Sequence, residues 1–180
     1  MFHRSERLFL RPAFPEDRDA VFGGIADEGV VRMLATAPWP YTEADAQGWI
    51  ERGQGPLLPS LLVTLPGPAG ELVVGGAGLG LDEEGEVQLG YWIARAHWGR
   101  GYATEAARGV LQIARMLGHR RIVAAHYLDN PASGRVLRKA GFRPTGRVEK
   151  RLCLARKAKV EGALYECDLG KSDNPAMRAA

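Results

Sequence analysis

The stretch Trp98-Gly99-Arg100-Gly101-Tyr102-Ala103-Thr104-Glu105 constrains this chain more than any other. It follows an apolar segment, Val87-Gln88-Leu89-Gly90-Tyr91-Trp92-Ile93-Ala94, that reads as a strand. It opens a helix with an apolar stripe at Ala103, Ala106, Ala107, Val110, Leu111, Ala114 and Leu117, a period of 3.6. A strand, a glycine turn and a helix N-terminus together make an anion site. Glycine lets the backbone approach a ligand, the first helical N–H groups have no partner of their own, and the helix end carries partial positive charge. A pyrophosphate is the natural guest.

Two common pyrophosphate motifs fit poorly. A P-loop needs Lys and Ser/Thr after its last glycine, but Tyr102-Ala103 follows Gly101. A dinucleotide fingerprint needs a third glycine where Thr104 stands. An ordinary tight turn with no ligand is the remaining alternative for an isolated Gly-x-Gly.

The flanking residues resemble the Gcn5-related N-acetyltransferase (GNAT) superfamily, and within it the RimJ/RimL-like branch. The family's coenzyme A loop is similar to Trp98-Gly99-Arg100-Gly101-Tyr102-Ala103, with Trp98 in place of the usual Gln or Arg. Arg7-Leu8-Phe9-Leu10-Arg11-Pro12 resembles the first strand of the branch, and Leu89-Gly90-Tyr91-Trp92 its fourth. Asn130-Pro131-Ala132-Ser133-Gly134-Arg135-Val136-Leu137, followed by Lys139-Ala140-Gly141-Phe142, resembles its second cofactor motif.

Composition is compatible with that resemblance. A chain of 180 residues, 46% hydrophobic and 25% charged, reads as one soluble domain. At that size folding buries roughly 70% of the unfolded surface. A net charge of +3, spread along the chain, does not imply nucleic acid. A modest basic stretch from Arg147 to Lys159 reads first as a solvated face. Cys153 and Cys167 form no metal-ligand pattern, so no metal is expected and both read as reduced thiols. With no apolar signal segment or membrane span, the expected location is cytoplasmic.

The expected element order is a strand, two helices, three strands, a helix, a strand, a helix and two strands. That order is an α/β mixed, largely antiparallel sheet with helices on both faces. Pro15-Glu16-Asp17 starts the first helix, and Thr42 with Asp45 makes a capping box for the second. Asn130 caps a short helix that stops at Gly141. The last hairpin is expected to turn near Val160-Glu161-Gly162. Residues 1–170 read as a single domain and residues 171–180 as a flexible tail.

The resemblance implies acetyl-CoA as cosubstrate, without a metal, and a splayed strand pair that admits the pantetheine arm. It places the pairing edge at Trp92, Ile93 and Ala94, and the pyrophosphate on the amides of Gly99 to Thr104, with Arg100 either adding a contact or facing solvent. Asn130 is then either a pantetheine contact or only a helix cap. Ser133 is a proton donor to the departing thiolate or merely a small first-turn residue, and Arg135 reaches a nucleotide phosphate.

Many relatives carry a glutamate where this chain has Gln88, which cannot take a proton at neutral pH. Glu86 lies two residues back on the same strand face, as a base through water or as a surface charge. Tyr91 points to the other face and reads as core, and His97 and His126 as structural. Trp39 and Tyr41 either cradle the substrate or plug the gap between the two early helices. The turn near Lys157 to Gly162 is expected to wall the cleft. The implied acceptor is a primary amine, either the α-amine of a protein N-terminus or a small amine. A homodimer is possible for this fold. The rival readings are a CoA-binding sensor that has lost turnover, a transferase of a longer acyl group such as succinyl, and a nucleotide-binding module of another fold.

Overall fold

The computed structural model describes residues 1–52, 55–67 and 70–170, so the tail expected at 171–180 lies outside the described residues. Eight strands form one sheet: β1 (His3–Arg4), β2 (Phe9–Arg11), β3 (Ser60–Gly67), β4 (Gly70–Leu81), β5 (Val87–Ile93), β6 (Arg121–Tyr127), β7 (Arg143–Cys153) and β8 (Ala158–Asp168). Their order across the sheet is β1-β2-β3-β4-β5-β6-β8-β7, and only the β5–β6 pair is parallel. The helices are α1 (Arg18–Ile25), α2 (Glu28–Val31), α3 (Glu43–Glu51), α4 (Tyr102–Met116) and α5 (Pro131–Ala140). The expected mixed, largely antiparallel sheet is therefore observed. Two short elements, β1 and α2, were not anticipated, because two to four residues are too few to show a period.

Alternation along the strands builds two cores. Leu61 and Val63 of β3 join Leu89 of β5 and Val110 and Ile113 of α4 on one face. Leu62 and Trp92 join Val21 and Ile25 of α1 and Ala46 of α3 on the other. Val110 and Ile113 are fully buried, and each contributes on the order of 1.5–3 kcal/mol by leaving water. This packing sets the position of α4 and therefore of the turn that precedes it.

The N-terminal caps follow the expected chemistry. Asp45 and Thr42 form the reciprocal box at α3, and the Asn130 side chain accepts from Ser133 N at α5. The last hairpin turns earlier than expected. Its loop is Leu154–Lys157, with Lys157 at φ 49, and residues 158–162 belong to β8. The stretch expected to wall a cleft from Lys157 to Gly162 is thus mainly ladder. Cys153 and Cys167 are free and buried. No described helix is long and apolar enough to cross a membrane.

Candidate active site

Between β5 and β6 the ladder has one register point, Gln88 opposite Val123. Beyond it the strands part. Across the sheet, Ala94 N donates to Val74 O at 2.9 Å, which commits that end of β5 to β4. Antiparallel ladders alternate, so Tyr91 and Ile93 turn their backbone groups toward the opening while Trp92 turns toward β4. The edge expected at Trp92 to Ala94 is therefore corrected to Tyr91 and Ile93. The Ile93 carbonyl already accepts from Trp98 Nε1 at 2.6 Å.

The opening forms a cavity of about 680 Å³. Its walls include Gln88 to Ile93, Trp98, Gly99, Gly101 to Thr104, and Asn130, Ser133 and Arg135 of the α5 start. Ala94 and the Arg100 side chain are absent from those walls.

Gly99 and Gly101 have φ of 76° and 81°, a left-handed conformation that L side chains rarely adopt. These two residues carry the chain from β5 into α4 within a few positions. Gly101 is the N-cap of α4 and brings no side chain to the free N–H groups of Tyr102, Ala103 and Thr104.

The turn is held from behind. Arg7 donates to the Arg100 carbonyl at 3.0 Å and to Glu105 at 2.8 Å, and its guanidinium lies 4.9 Å from the Tyr102 ring centroid. Glu105 also accepts from Ser5 Oγ at 2.7 Å and from Arg7 N at 2.8 Å. Burial opposes ionisation of this carboxyl. The Ser5 and Arg7 hydrogen bonds outweigh that and hold it below the usual carboxylate range. The negative charge in the first turn of α4 is thus consumed by the Ser5–Leu8 loop. The Arg100 carbonyl accepts from Arg7, and the exposed Arg100 side chain lies outside the cavity walls, in line with the solvent-facing alternative.

On the α5 side, Tyr91 is more than a core residue. Its hydroxyl lies 2.7 Å from Ser133 Oγ, and burial pushes its pKa up to about 12, with the Ser133 bond opposing. The strand alternation assigned its face correctly, but the ring reaches the start of α5. His126 Nδ1 lies 2.8 Å from the Tyr127 carbonyl. A carbonyl only accepts, so Nδ1 carries the hydrogen and Nε2 is the acceptor in the neutral ring. Gly134 makes room for that ring, since a Cβ there would stand 2.5 Å from Nε2. His97 Nδ1 is buried with no hydrogen-bond partner among the described residues. Burial, and then the Arg100 charge, lower the His97 pKa.

Three expected site residues lie elsewhere. Glu86 is ion-paired with Arg121 at 2.7 Å and borders a separate cleft, so it is not placed to act as a base in the main cavity. Sharing a strand face with Gln88 was insufficient, because Arg121 at the start of β6 captures it. Tyr41 is 7% exposed and Trp39 packs against the same apolar cluster of α1 and α3. Neither lines the cavity, so the plug alternative holds. Gln88 does line it and accepts from Arg151 Nη2 at 2.7 Å. Arg151, Met33 and Leu34 are cavity residues that the strand and loop patterns did not reveal. Among the described residues no group of three or more His, Cys, Asp or Glu is placed to hold a metal.

A mixed sheet whose parallel pair parts beside an uncapped helix N-terminus forms a cleft suited to an extended, anionic ligand. Residues 7–143 match the family model described as an acetyltransferase (GNAT) domain, and the chain belongs to that family of acetyltransferase enzymes. A relative, the uncharacterized N-acetyltransferase YoaA of Bacillus subtilis (strain 168), is 28% identical, covering 79% of this chain and 82% of that protein. A GNAT-family acetyltransferase from Bacillus anthracis superposes with a TM-score of 0.79 at 24% identity, over 94% of this chain and 99% of that one. The microcin C7 self-immunity acetyltransferase MccE, whose structure contains acetyl-CoA and AMP, superposes at 0.71 with 17% identity, over 91% and 93%. At these identities the structural matches establish the fold.

Proposed function

We propose that this protein is an acetyl-CoA-dependent N-acetyltransferase of the RimJ/RimL-like branch that acts in the cytoplasm on a primary amine, either a protein N-terminal α-amine or a small amine. One observation carries the reading: the uncapped start of α4, the open edge of β5 and the Tyr91–Ser133 pair border a single cavity. The residues present fit the cofactor. Free N–H groups of Tyr102 to Thr104 suit a pyrophosphate, the β5 edge suits the amides of a pantetheine arm, and the orphaned His97 Nδ1 has a polar partner to gain. Arg135 lines the same cavity, which supports it as the partner of a nucleotide phosphate.

Acetyl-CoA supplies a thioester already activated for attack. The chain's task is to align, to exclude water and to handle protons. Ser133 Oγ would be the group to protonate the departing thiolate, and Tyr91, which burial keeps protonated, would orient that hydroxyl through their 2.7 Å hydrogen bond, with solvent restoring the proton. Gln88 serves as a positioning residue. Among the described residues the cavity walls contain no Asp or Glu, and in this reading a water takes the proton of the acceptor amine.

The test is thiol release from acetyl-CoA across peptides with free N-termini and small amines, with CoA binding read by thermal shift. Turnover with one class of amine is expected. A shift without turnover across the panel would reduce the protein to a CoA binder. The absence of both would remove the cofactor assignment.

A further inference from the structure

Arg151, like Arg135 on the same cavity wall, forms no ion pair among the described residues, and it differs from the neighbouring arginines on the surface. Arg156 pairs with Asp129, Arg95 with Asp27 and Arg121 with Glu86. Among the described residues no carboxylate lies within 4.0 Å of Arg151, and its side-chain partner is the neutral amide of Gln88. The side chain reaches Gln88 by crossing β8 at Gly162, where a Cβ would stand in van der Waals contact with Arg151 Cδ at 3.4 Å. Gly162 sits in register between Tyr127 of β6 and Glu149 of β7, so the bare position is a path over the sheet.

Arg151 also borders a smaller cleft of about 170 Å³ lined by Asp82, Glu84, Glu86 and Glu149. Glu84, Glu86 and Glu149 pair with Arg121 and Arg147, and Asp82 accepts from the backbone N–H groups of Glu84 and Glu86. In the main cavity the charged lining residues are Arg135, Lys139 and Arg151, apart from the two histidines.

Guanidinium has no acceptor, so the Gln88 oxygen must face it and the Gln88 NH₂ group points elsewhere. The pair therefore presents only donors. Its complement is a planar anion with several acceptor oxygens. By strand alternation Gln88 shares a face with Trp92, which packs toward α1 and α3, whereas Tyr91 meets Ser133 on the other face. The donor pair thus lies across the sheet from the Ser133 hydroxyl, at the opposite side of the same cavity.

We propose, building on the acetyltransferase reading above, that Gln88 and Arg151 form a carboxylate-recognition site and that the acceptor is a small amine bearing a carboxylate. A carboxylate on the acyl group shares this chemistry and is separated from it by experiment. Polycationic acceptors are disfavoured by the same charge.

The experiment uses the full chain. Thiol release from acetyl-CoA is compared for α-amino acids and their amides in wild type, Arg151→Gln and Arg151→Lys. The amino acids are expected to react with kcat/KM higher by about tenfold or more, as expected for a charge-assisted contact. Arg151→Gln removes that advantage while CoA affinity is unchanged, and Arg151→Lys restores part of it. Equal rates for acids and amides in wild type, or an advantage that survives Arg151→Gln, overturn the site.

A preference for succinyl-CoA over acetyl-CoA that is lost in Arg151→Gln would move the carboxylate to the acyl group and overturn the acceptor assignment. Calorimetric titration with N-acetylmethionine and its amide in the presence of CoA reads the site without turnover. Selective binding of the acid, lost in Arg151→Gln, supports the site even if no amine reacts. Equal binding counts against it.

Discussion

Two helix N-termini face the same cavity, and they are finished differently. At α5 the Asn130 side chain accepts from Ser133 N at 3.2 Å, and Pro131 removes one further donor. At α4 the cap is Gly101, left-handed and without a side chain, so the donors of the first turn have no partner from the cap. A capped end is complete in itself and is free to present a side chain, here Ser133. An uncapped end is incomplete and draws its partner from a ligand. In the proposed function, that difference separates an anion-binding end from a proton-handling end.

The largest expected effect comes from attacking the uncapped end. Gly101→Glu places a side chain at positive φ and a negative charge at the anion site, and should lower CoA affinity by two orders of magnitude or more (about 3 kcal/mol). Titration of CoA, with circular dichroism as the fold check, reads this, and unchanged affinity would break the distinction between the ends.

Next comes the α5 end. Ser133→Ala should reduce kcat by about a hundredfold and Tyr91→Phe by about tenfold, with little change in KM for acetyl-CoA. Equal KM effects in both variants would make the pair a binding element instead.

Glu105→Ala leaves Ser5 and the Arg7 N–H without their acceptor, and should cost about 2 kcal/mol in chemical denaturation. The sign of its pH dependence follows from its depressed pKa. The contribution is present above the ordinary carboxylate range and is lost as pH falls through the lower folded value, so wild type should lose stability in acid more steeply than Glu105→Gln.

The smallest effect sharpens the role of Asn130. Asn130→Ala should cost about 1 kcal/mol, whereas Asn130→Asp, an equally good cap, should keep stability. A cofactor affinity that falls in the Asp variant would mark the amide as a pantetheine contact beyond its capping role.

Much of the glycine turn and the two helix starts around the cavity was legible from residue order. The glycines at 99 and 101, the apolar stripe of α4 and the Asn-Pro start of α5 all appear where local rules place them. The acceptor side was not legible. Glu86 and Gln88 look equivalent along the strand, yet one is held by Arg121 and the other by Arg151. Trp39 and Tyr41 suited a substrate pocket, yet the gap between α1 and α3 took them.

The sequence by itself determined the strand, the glycine turn and the two helix starts, because backbone conformation, capping and periodicity act within a few residues of one another. Only the tertiary structure decided that Tyr91 meets Ser133, 42 residues away, and that Arg151 meets Gln88, 63 residues away. The second contact depends on the order β5-β6-β8-β7, which carries the Arg151 side chain over β8 beside Gly162. Strand periodicity specifies the face a residue occupies, and the packing of the whole sheet selects its neighbour.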